Sequence, residues 1–211
     1  MRQRSRSLAL PSLALLFACN AQMIEDETDA HLGVTFEPII GGVLASDYPE
    51  AAYINIDPGP TSMYVCSGAL ISPQVVLTAG HCVDTHSRWE VHVAGATQVS
   101  TSSAVYDWHE QGATTVNPAH HDIGLVFLSQ PIQLSRFPTL STRSAVTNAT
   151  ATCVGRVLNG TVQSGAYKAN TTLLPADSIG YPYDYRSSVV IQPGDSGGPV
   201  FLSNTHEITA V

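Results

Sequence analysis

Charged residues are scarce in this chain, and basic residues are the scarcest of them. Only 12% of the 211 residues are charged, and 17 acids against nine Lys and Arg give a formal charge of −8. Three of those bases, Arg2, Arg4 and Arg6, fall at the very start of the chain. The remainder therefore lacks the clustered positive charge that a phosphate backbone requires, which excludes nucleic acid as an expected partner.

The N-terminus carries an apolar stretch, Leu8–Ala18, that is too short to cross a bilayer as a permanent helix. It follows the cationic segment MRQRSRS, and this order predicts a secretory signal peptide over residues 1–19. Two kinds of processing stay open. Leu16-Phe17-Ala18-Cys19 resembles a bacterial lipobox, in which Cys19 would be lipidated and would anchor a bacterial lipoprotein to the membrane, facing the periplasm or the exterior. Ordinary cleavage near Ala21 would instead release a secreted protein.

Residues 20–38 contain no Lys or Arg and show no apolar periodicity. They hold five acids, which are Glu25, Asp26, Glu27, Asp29 and Glu37. This composition is typical of a solvated segment, and it predicts an acidic pro-segment or linker before a folded domain at 39–211.

Helical periodicity is missing from Ile39 onward, which excludes a parallel α/β fold. Short β-branched and aromatic runs alternate instead with clusters of Gly, Pro, Asn and Ser. The clearest runs are AAYINID, YVCSGALI, VVLTAGHC, EVHVAG, IGLVFLS, TCVGRV and GPVFLS. Regularly spaced short strands with turn residues between them predict an all-β, antiparallel sandwich or barrel.

Cysteines are few, and an exported protein is expected to pair them. Cys66 and Cys82 end two strand-like runs with fifteen residues between them, and we expect them to form a disulfide. A loop of that size contributes ~3 kcal/mol in the chain-entropy model, and the bond would also hold the turn that carries His81. Cys153 is then expected to be a buried thiol, unless its partner lies beyond residue 211.

The strongest chemical signal is the segment Gly194-Asp195-Ser196-Gly197-Gly198-Pro199. A serine hydroxyl attacks a carbonyl only when a base takes its proton and donors receive the oxyanion. The glycines around Ser196 permit a tight turn that exposes its oxygen and directs the N–H groups of Gly194 and Ser196 toward one point. Ser196 is therefore a candidate nucleophile with its own oxyanion hole.

A base and its orienting acid are available elsewhere in the chain. His81, in LTAGHC, ends an apolar strand beside the predicted disulfide, and Asp122 precedes the buried-looking strand IGLVF. Asp122 could alternatively be an acid that caps its strand. Together with His120 and His121 it also raises a metal site as an alternative, but neighbouring strand residues point to opposite faces, so neither a metal nor a cofactor is expected.

These motifs resemble those of the trypsin-like, or chymotrypsin-fold, serine peptidases. The resemblance is carried, in order along the chain, by IIGG at 39–42, CSGALI at 66–71, LTAGHC at 77–82, HDIGLVFL at 121–128 and GDSGGP at 194–199. It implies two antiparallel six-stranded Greek-key barrels with the site in the cleft between them. It also implies an exported serine endopeptidase that acts on protein or peptide substrates. In such an enzyme His81 is the general base and then the acid, Asp122 orients it, Ser196 attacks, and the amides of Gly194 and Ser196 form the oxyanion hole.

The resemblance further implies that the protein is made as a zymogen. Cleavage before Ile39 would free an amine that pairs with Asp195 and shapes the oxyanion hole, since an unmatched charge of a buried pair costs ~3–5 kcal/mol. The family is usually cut after Arg or Lys, whereas Glu37-Pro38 precedes Ile39 here. We therefore expect an activating protease of another specificity, which the sequence does not identify.

The position that the family places at the base of the specificity pocket is Val190 here. Tryptic members carry an aspartate at this point. An apolar or small residue before the scissile bond is therefore expected, and cleavage after Lys or Arg is not.

The sequence ends at Val211, where the family forms a further strand and a terminal helix. The second barrel is thus expected to be incomplete at its C-terminus, in a domain truncated there. Three explanations remain open: the sequence is cut short, another chain completes the barrel, or the protein is a shortened homologue. The last two keep open a second function, that of a non-catalytic or poorly active binding or surface protein built on a peptidase scaffold.

Overall fold

The computed structural model describes residues 37–38, 42–59, 64–106, 108, 117–159 and 161–211. The predicted signal peptide and Ile39 lie outside this range, and so does the predicted pro-segment apart from Glu37 and Pro38. All the described residues belong to one compact unit that begins at Val34. No helix among them is long and apolar enough to cross a membrane.

The described residues form sixteen strands and two single turns of 3-10 helix. The strands are β1 (Glu37–Pro38), β2 (Val43–Leu44), β3 (Ala51–Ile56), β4 (Tyr64–Ser72), β5 (Val75–Thr78), β6 (Trp89–Val93), β7 (Ala96–Ser100), β8 (Ser102–Tyr106), β9 (Ile123–Phe127), β10 (Thr139–Leu140), β11 (Ala149–Leu158), β12 (Thr161–Pro175), β13 (Tyr185–Ser187), β14 (Val189–Val190), β15 (Val200–Leu202) and β16 (Glu207–Ala210). The 3-10 turns are Gly80–Cys82 and Asp177–Ile179. The all-β class predicted from the sequence is confirmed.

The first sheet has the antiparallel order β7-β6-β3-β4-β5-β9-β8. Its outer members β7 and β8 are separated only by Thr101, so one bent strand joins both ends of the sheet and closes a six-stranded barrel. The bend lies at Ser100, whose buried hydroxyl accepts the Ser102 amide at 3.1 Å and donates to the Phe127 carbonyl. The first of the two expected barrels is therefore complete.

Period-two alternation along the strands fills this barrel. In β6 the side chains of Trp89, Val91 and Val93 are buried while the two between them are half-buried. They pack with Ile54 and Leu70 in one core cluster, as expected when successive strand residues face opposite sides. Burying each large apolar side chain contributes about 1.5–3 kcal/mol, so this core is a major source of stability.

The second sheet follows the order β10-β16-β15-β11-β12-β13, and β2 adds to β12. The ladders are antiparallel except that β10 runs parallel to β16. In the described part of the chain no ladder joins β10 to β13, so this curled sheet remains open. The fold is thus the predicted pair of β-barrels, one closed and one open.

Residues of both barrels form a second core cluster between them. Phe201 in β15 is fully buried and stacks on Tyr48 with ring centroids 4.5 Å apart. Leu77 in β5 and Val154 in β11 belong to the same cluster. The end of β5 and the strand β15 are thereby held near each other, and the segments that flank them carry His81 and Ser196.

Candidate active site

His81 lies in the 3-10 turn that follows β5 on the first barrel. The disulfide between Cys66 and Cys82 ties this turn to β4, and it is the pair that the sequence predicted. A ring nitrogen of His81 and both sulfurs lie within 4.8 Å of one another. Because both sulfurs are bonded in the disulfide, this group cannot bind a metal through thiolates. The disulfide instead holds the histidine turn against β4.

Asp122 makes two contacts with His81. Its Oδ2 lies 2.7 Å from His81 Nδ1, and its Oδ1 accepts the His81 backbone N–H at 2.8 Å. The pair forms because β5 and β9 are neighbours, with Thr78 opposite Gly124. When the Nδ1–H group donates a hydrogen bond to the carboxylate, Nε2 carries a free lone pair and can act as a base.

The surroundings of this pair are partly open to solvent. The His81 side chain is 39% exposed and that of Asp122 is 23% exposed. The His81 ring leans on Trp108 at a centroid distance of 5.7 Å. A Cβ on Gly80 would lie 2.9 Å from Trp108 Cβ and 3.0 Å from Asp122 Oδ1, so a residue without a side chain lets these groups close around His81.

Ser196 lies in the turn that precedes β15 and rests on the first barrel through its backbone. Its carbonyl accepts the Ser67 amide at 2.8 Å and lies 3.8 Å from Cys82 Sγ. The next residue, Gly197, has a φ of +77°, and a Cβ there would lie 2.5 Å from the Ala79 amide nitrogen. The serine turn therefore packs on the disulfide and the strand end that also carry His81.

Asp195 is buried beneath this turn, with 4% of its surface exposed. Its Oδ1 accepts the Val157 amide at 2.8 Å and its Oδ2 accepts the Gln192 amide at 3.1 Å. Burial raises the pKa of this carboxyl, and the backbone hydrogen bonds oppose the increase. The carbonyl of Gly194, whose φ is +111°, accepts the Ser67 hydroxyl at 2.9 Å.

Other residues predicted from the sequence have separate positions. Cys153 is buried and free, as expected for a lone thiol, and burial raises its pKa to about 11. Val190 lies in β14, where its backbone pairs with Pro38 of β1, and its side chain is outside the described part. Ile39 is also outside it. The ring of His121 packs against the ring of Tyr183, and the two centroids lie 4.2 Å apart.

Two residues near the site were missed by the sequence analysis. Ser67 holds the serine turn through its amide and hydroxyl, and its position in CSGALI could have drawn attention to it. Arg156 is buried in β11 beside the Asp195 carboxylate. The sequence did contain a signal for Arg156, because it is the one charged residue in the run ATATCVGRVL.

Comparisons with known proteins agree with this architecture. The family model described as Trypsin matches residues 39–211. Brachyurin from Leptuca pugilator is 35% identical over 46% of this chain, and trypsin iota from Drosophila melanogaster is 28% identical over 79%. The match spans 44% of the length of brachyurin and 74% of that of trypsin iota.

Solved structures show the same fold at low identity. The structure titled HL collagenase aligns with a TM-score of 0.62 at 19% identity, over 81% of this chain and 84% of that one. The scabies mite inactivated protease paralogue S-D1 aligns with a TM-score of 0.64 at 19% identity, over 79% and 83%. From the family match together with the two-barrel fold, the chain belongs to the trypsin family of serine proteases.

Proposed function

We propose that this protein is an exported serine endopeptidase that hydrolyses peptide bonds with Ser196, His81 and Asp122. One observation carries the proposal. The His81–Asp122 pair, with its 2.7 Å contact, borders the same disulfide on which the Ser196 turn packs. Nucleophile, base and orienting acid from three distant segments would then share one cleft.

The reaction proceeds in two displacements. His81 Nε2 takes the hydroxyl proton as Ser196 Oγ bonds to the substrate carbonyl carbon, and the amides of Gly194 and Ser196 receive the oxyanion. The imidazolium then gives its proton to the departing amine, so the peptide C–N bond breaks and an acyl-enzyme remains. Water attacks the ester by the same route and releases the carboxylic acid. Asp122 stabilises the imidazolium throughout.

Export and activation follow the order of the segments. Residues 1–19 act as a signal peptide with a possible lipobox ending at Cys19, residues 20–38 act as an acidic pro-segment or linker, and 39–211 is the peptidase domain. The product is secreted, or is anchored to a bacterial membrane if Cys19 is lipidated. The pairing of β1 with β14 supports a zymogen form, because it places Pro38 next to the segment that leads into the serine turn.

Cleavage before Ile39 by an unidentified protease would separate Pro38 from the domain and free the backbone amine of Ile39. That amine would pair with Asp195, whose burial favours a cationic partner. The substrates are proteins or peptides. Val190 at the base of the pocket offers no charge to a basic side chain, which supports cleavage after apolar or small residues.

A non-catalytic binding role is the second candidate. It is favoured by similar structures whose titles name inactivated protease paralogues of the scabies mite and a human heparin binding protein. The described second sheet is also open. The presence of His81, Asp122 and Ser196 argues for the catalytic role.

A labelling experiment separates the two roles. In a Pro38→Lys variant, trypsin can cut before Ile39. After the trypsin is removed, the cut protein is treated with a fluorophosphonate probe, mapped by mass spectrometry and assayed on casein. We expect the probe on Ser196 and casein hydrolysis, and neither in the Ser196→Ala variant. A folded, cut sample that neither labels nor hydrolyses would overturn the catalytic role.

A further inference from the structure

Arg156 is a buried cation that bridges the two barrels. Only 5% of its surface is exposed. Nη1 donates to the Ile54 carbonyl at 3.2 Å and to Asn55 Oδ1 at 2.9 Å, both in β3 of the first barrel. Nε and Nη2 donate to the Gln163 carbonyl in β12 of the second, at 3.2 and 3.1 Å. The guanidinium lies over the Tyr53 ring, 4.9 Å from its centroid.

The ladder between β11 and β12 carries a bulge opposite Arg156, where the four residues 163–166 of β12 face Arg156 alone between two paired positions. The ladder between β11 and β12 runs in register up to Gly155 and resumes in a shifted register at Val157. A bulge releases amides from the ladder and redirects them. Here the Val157 amide donates to Asp195 Oδ1 at 2.8 Å, and the Arg156 amide also interacts with that carboxylate.

The β11 backbone next to Arg156 and the Asp195 carboxylate fit closely. A Cβ on Gly155 would collide with Asp195 Oδ1, so the glycine lets the carboxylate approach the strand. Asp195 directly precedes Ser196, and its second oxygen accepts the Gln192 amide at the start of the same turn. The position of β11 at Val157 is therefore transmitted to the backbone of residues 192–196 through hydrogen bonds to one carboxylate.

The electrostatic interaction between Arg156 and Asp195 favours the same arrangement. The guanidinium and the Asp195 carboxylate attract each other, and each is otherwise disfavoured by burial. The guanidinium uses four of its five N–H donors in these hydrogen bonds, which lowers the free-energy cost of burying Arg156. Arg156 thus anchors the second barrel to β3 of the first, and its positive charge compensates the negative charge of Asp195.

We propose that Arg156 is a positioning residue of the peptidase, which fixes the β11 backbone that holds Asp195 and thereby aligns the Gly194 and Ser196 amides for the oxyanion. The proposal rests on the proposed function. It predicts loss of turnover rather than of substrate binding, because the amides act on the transition state.

The test compares Arg156→Met, Arg156→Lys and, as a matched control, the exposed Arg136→Met in the cut protein. With a peptide ester as substrate, we expect Arg156→Met to lower kcat about 100-fold with KM within about twofold. Lysine should restore part of kcat, and millimolar guanidinium ion should restore part of it in Arg156→Met but not in Arg136→Met. Equal kcat in the wild type and Arg156→Met would overturn the proposal, as would a loss that neither lysine nor guanidinium relieves.

Hydrogen exchange provides a readout that does not depend on activity. The Val157 amide and the amides of residues 192–196 should exchange faster in Arg156→Met, while those of β6 stay unchanged. If the wild type itself is inactive, the proposed function fails, and unchanged exchange in these amides would separately refute the role of Arg156. Should Arg156→Met not fold, Asn55→Ala removes a single guanidinium acceptor and is expected to give the same changes with smaller size.

Discussion

The two halves of the candidate site are held in different ways. The histidine half lies on the closed barrel, and the contact of His81 with Asp122 joins two partly exposed side chains. The serine half belongs to the open sheet, where Asp195 is buried and backbone amides and glycines form the contacts. The first half should therefore tolerate side-chain changes without unfolding, whereas the second should not.

The largest expected effect comes from Asp122→Asn. An amide cannot stabilise the imidazolium and favours the wrong tautomer of His81, so we expect kcat to fall by about 10⁴-fold. Unfolding by urea should change little, because the pair is partly exposed. Asp57→Asn is the matched control, since Asp57 Oδ2 also lies 2.7 Å from the Nδ1 atom of a histidine, His86, on the same barrel. A similar loss of kcat in both variants would contradict the account.

Gly197→Ala tests the serine half. The new Cβ would meet the Ala79 amide at 2.5 Å, so we expect a loss of about 4 kcal/mol in the free energy of unfolding and loss of probe labelling. Gly95→Ala is a close control, because Gly95 has nearly the same φ, +78° against +77°, with no atom within 4 Å. It should cost only about 1–2 kcal/mol from backbone strain. Equal losses in urea titrations would show that the packing of the serine turn on β5 is unimportant.

Removing the disulfide affects both halves, because Cys82 contacts the Ser196 carbonyl and neighbours His81. The Cys66→Ser, Cys82→Ser double variant should lose ~3 kcal/mol of unfolding free energy. Exchange of amides in the Gly80–Cys82 turn and in residues 194–197 should rise together. A rise confined to one of the two segments would show that they are held independently.

The smallest effect concerns Cys153 in β11. Burial raises the pKa of its thiol from 9.0 to about 11, so the folded state holds this proton more tightly than the unfolded state. The associated stability is complete below pH 9 and is lost as the pH rises to about 11, a change of about 2–3 kcal/mol. Urea unfolding of the wild type and of Cys153→Ala at several pH values isolates this change, and parallel curves would contradict it.

The sequence predicted the all-β class and the Cys66–Cys82 disulfide because short strands and their flanking residues are local signals, whereas the pair of barrels followed from the resemblance of five motifs to the trypsin-like family. It also predicted His81 and Asp122 as partners, and the structure brings these two together. The role of Arg156 could not be predicted, since it depends on a register shift in the facing strand β12 and on contacts with Ile54 and Asn55 about a hundred residues away. The bend at Ser100 that closes the first barrel was likewise not predicted, because a bent strand has the sequence pattern of two short strands.

The central claim, that the two halves act in one reaction, is tested most directly by a double-mutant cycle. kcat/KM is measured on a peptide ester for the cut protein and for His81→Ala, Ser196→Ala and the combined variant. Residues that act as a unit are strongly non-additive, so the combined variant should be no slower than either single variant. Losses that multiply, or a wild type whose hydrolysis does not depend on Ser196, would contradict the account.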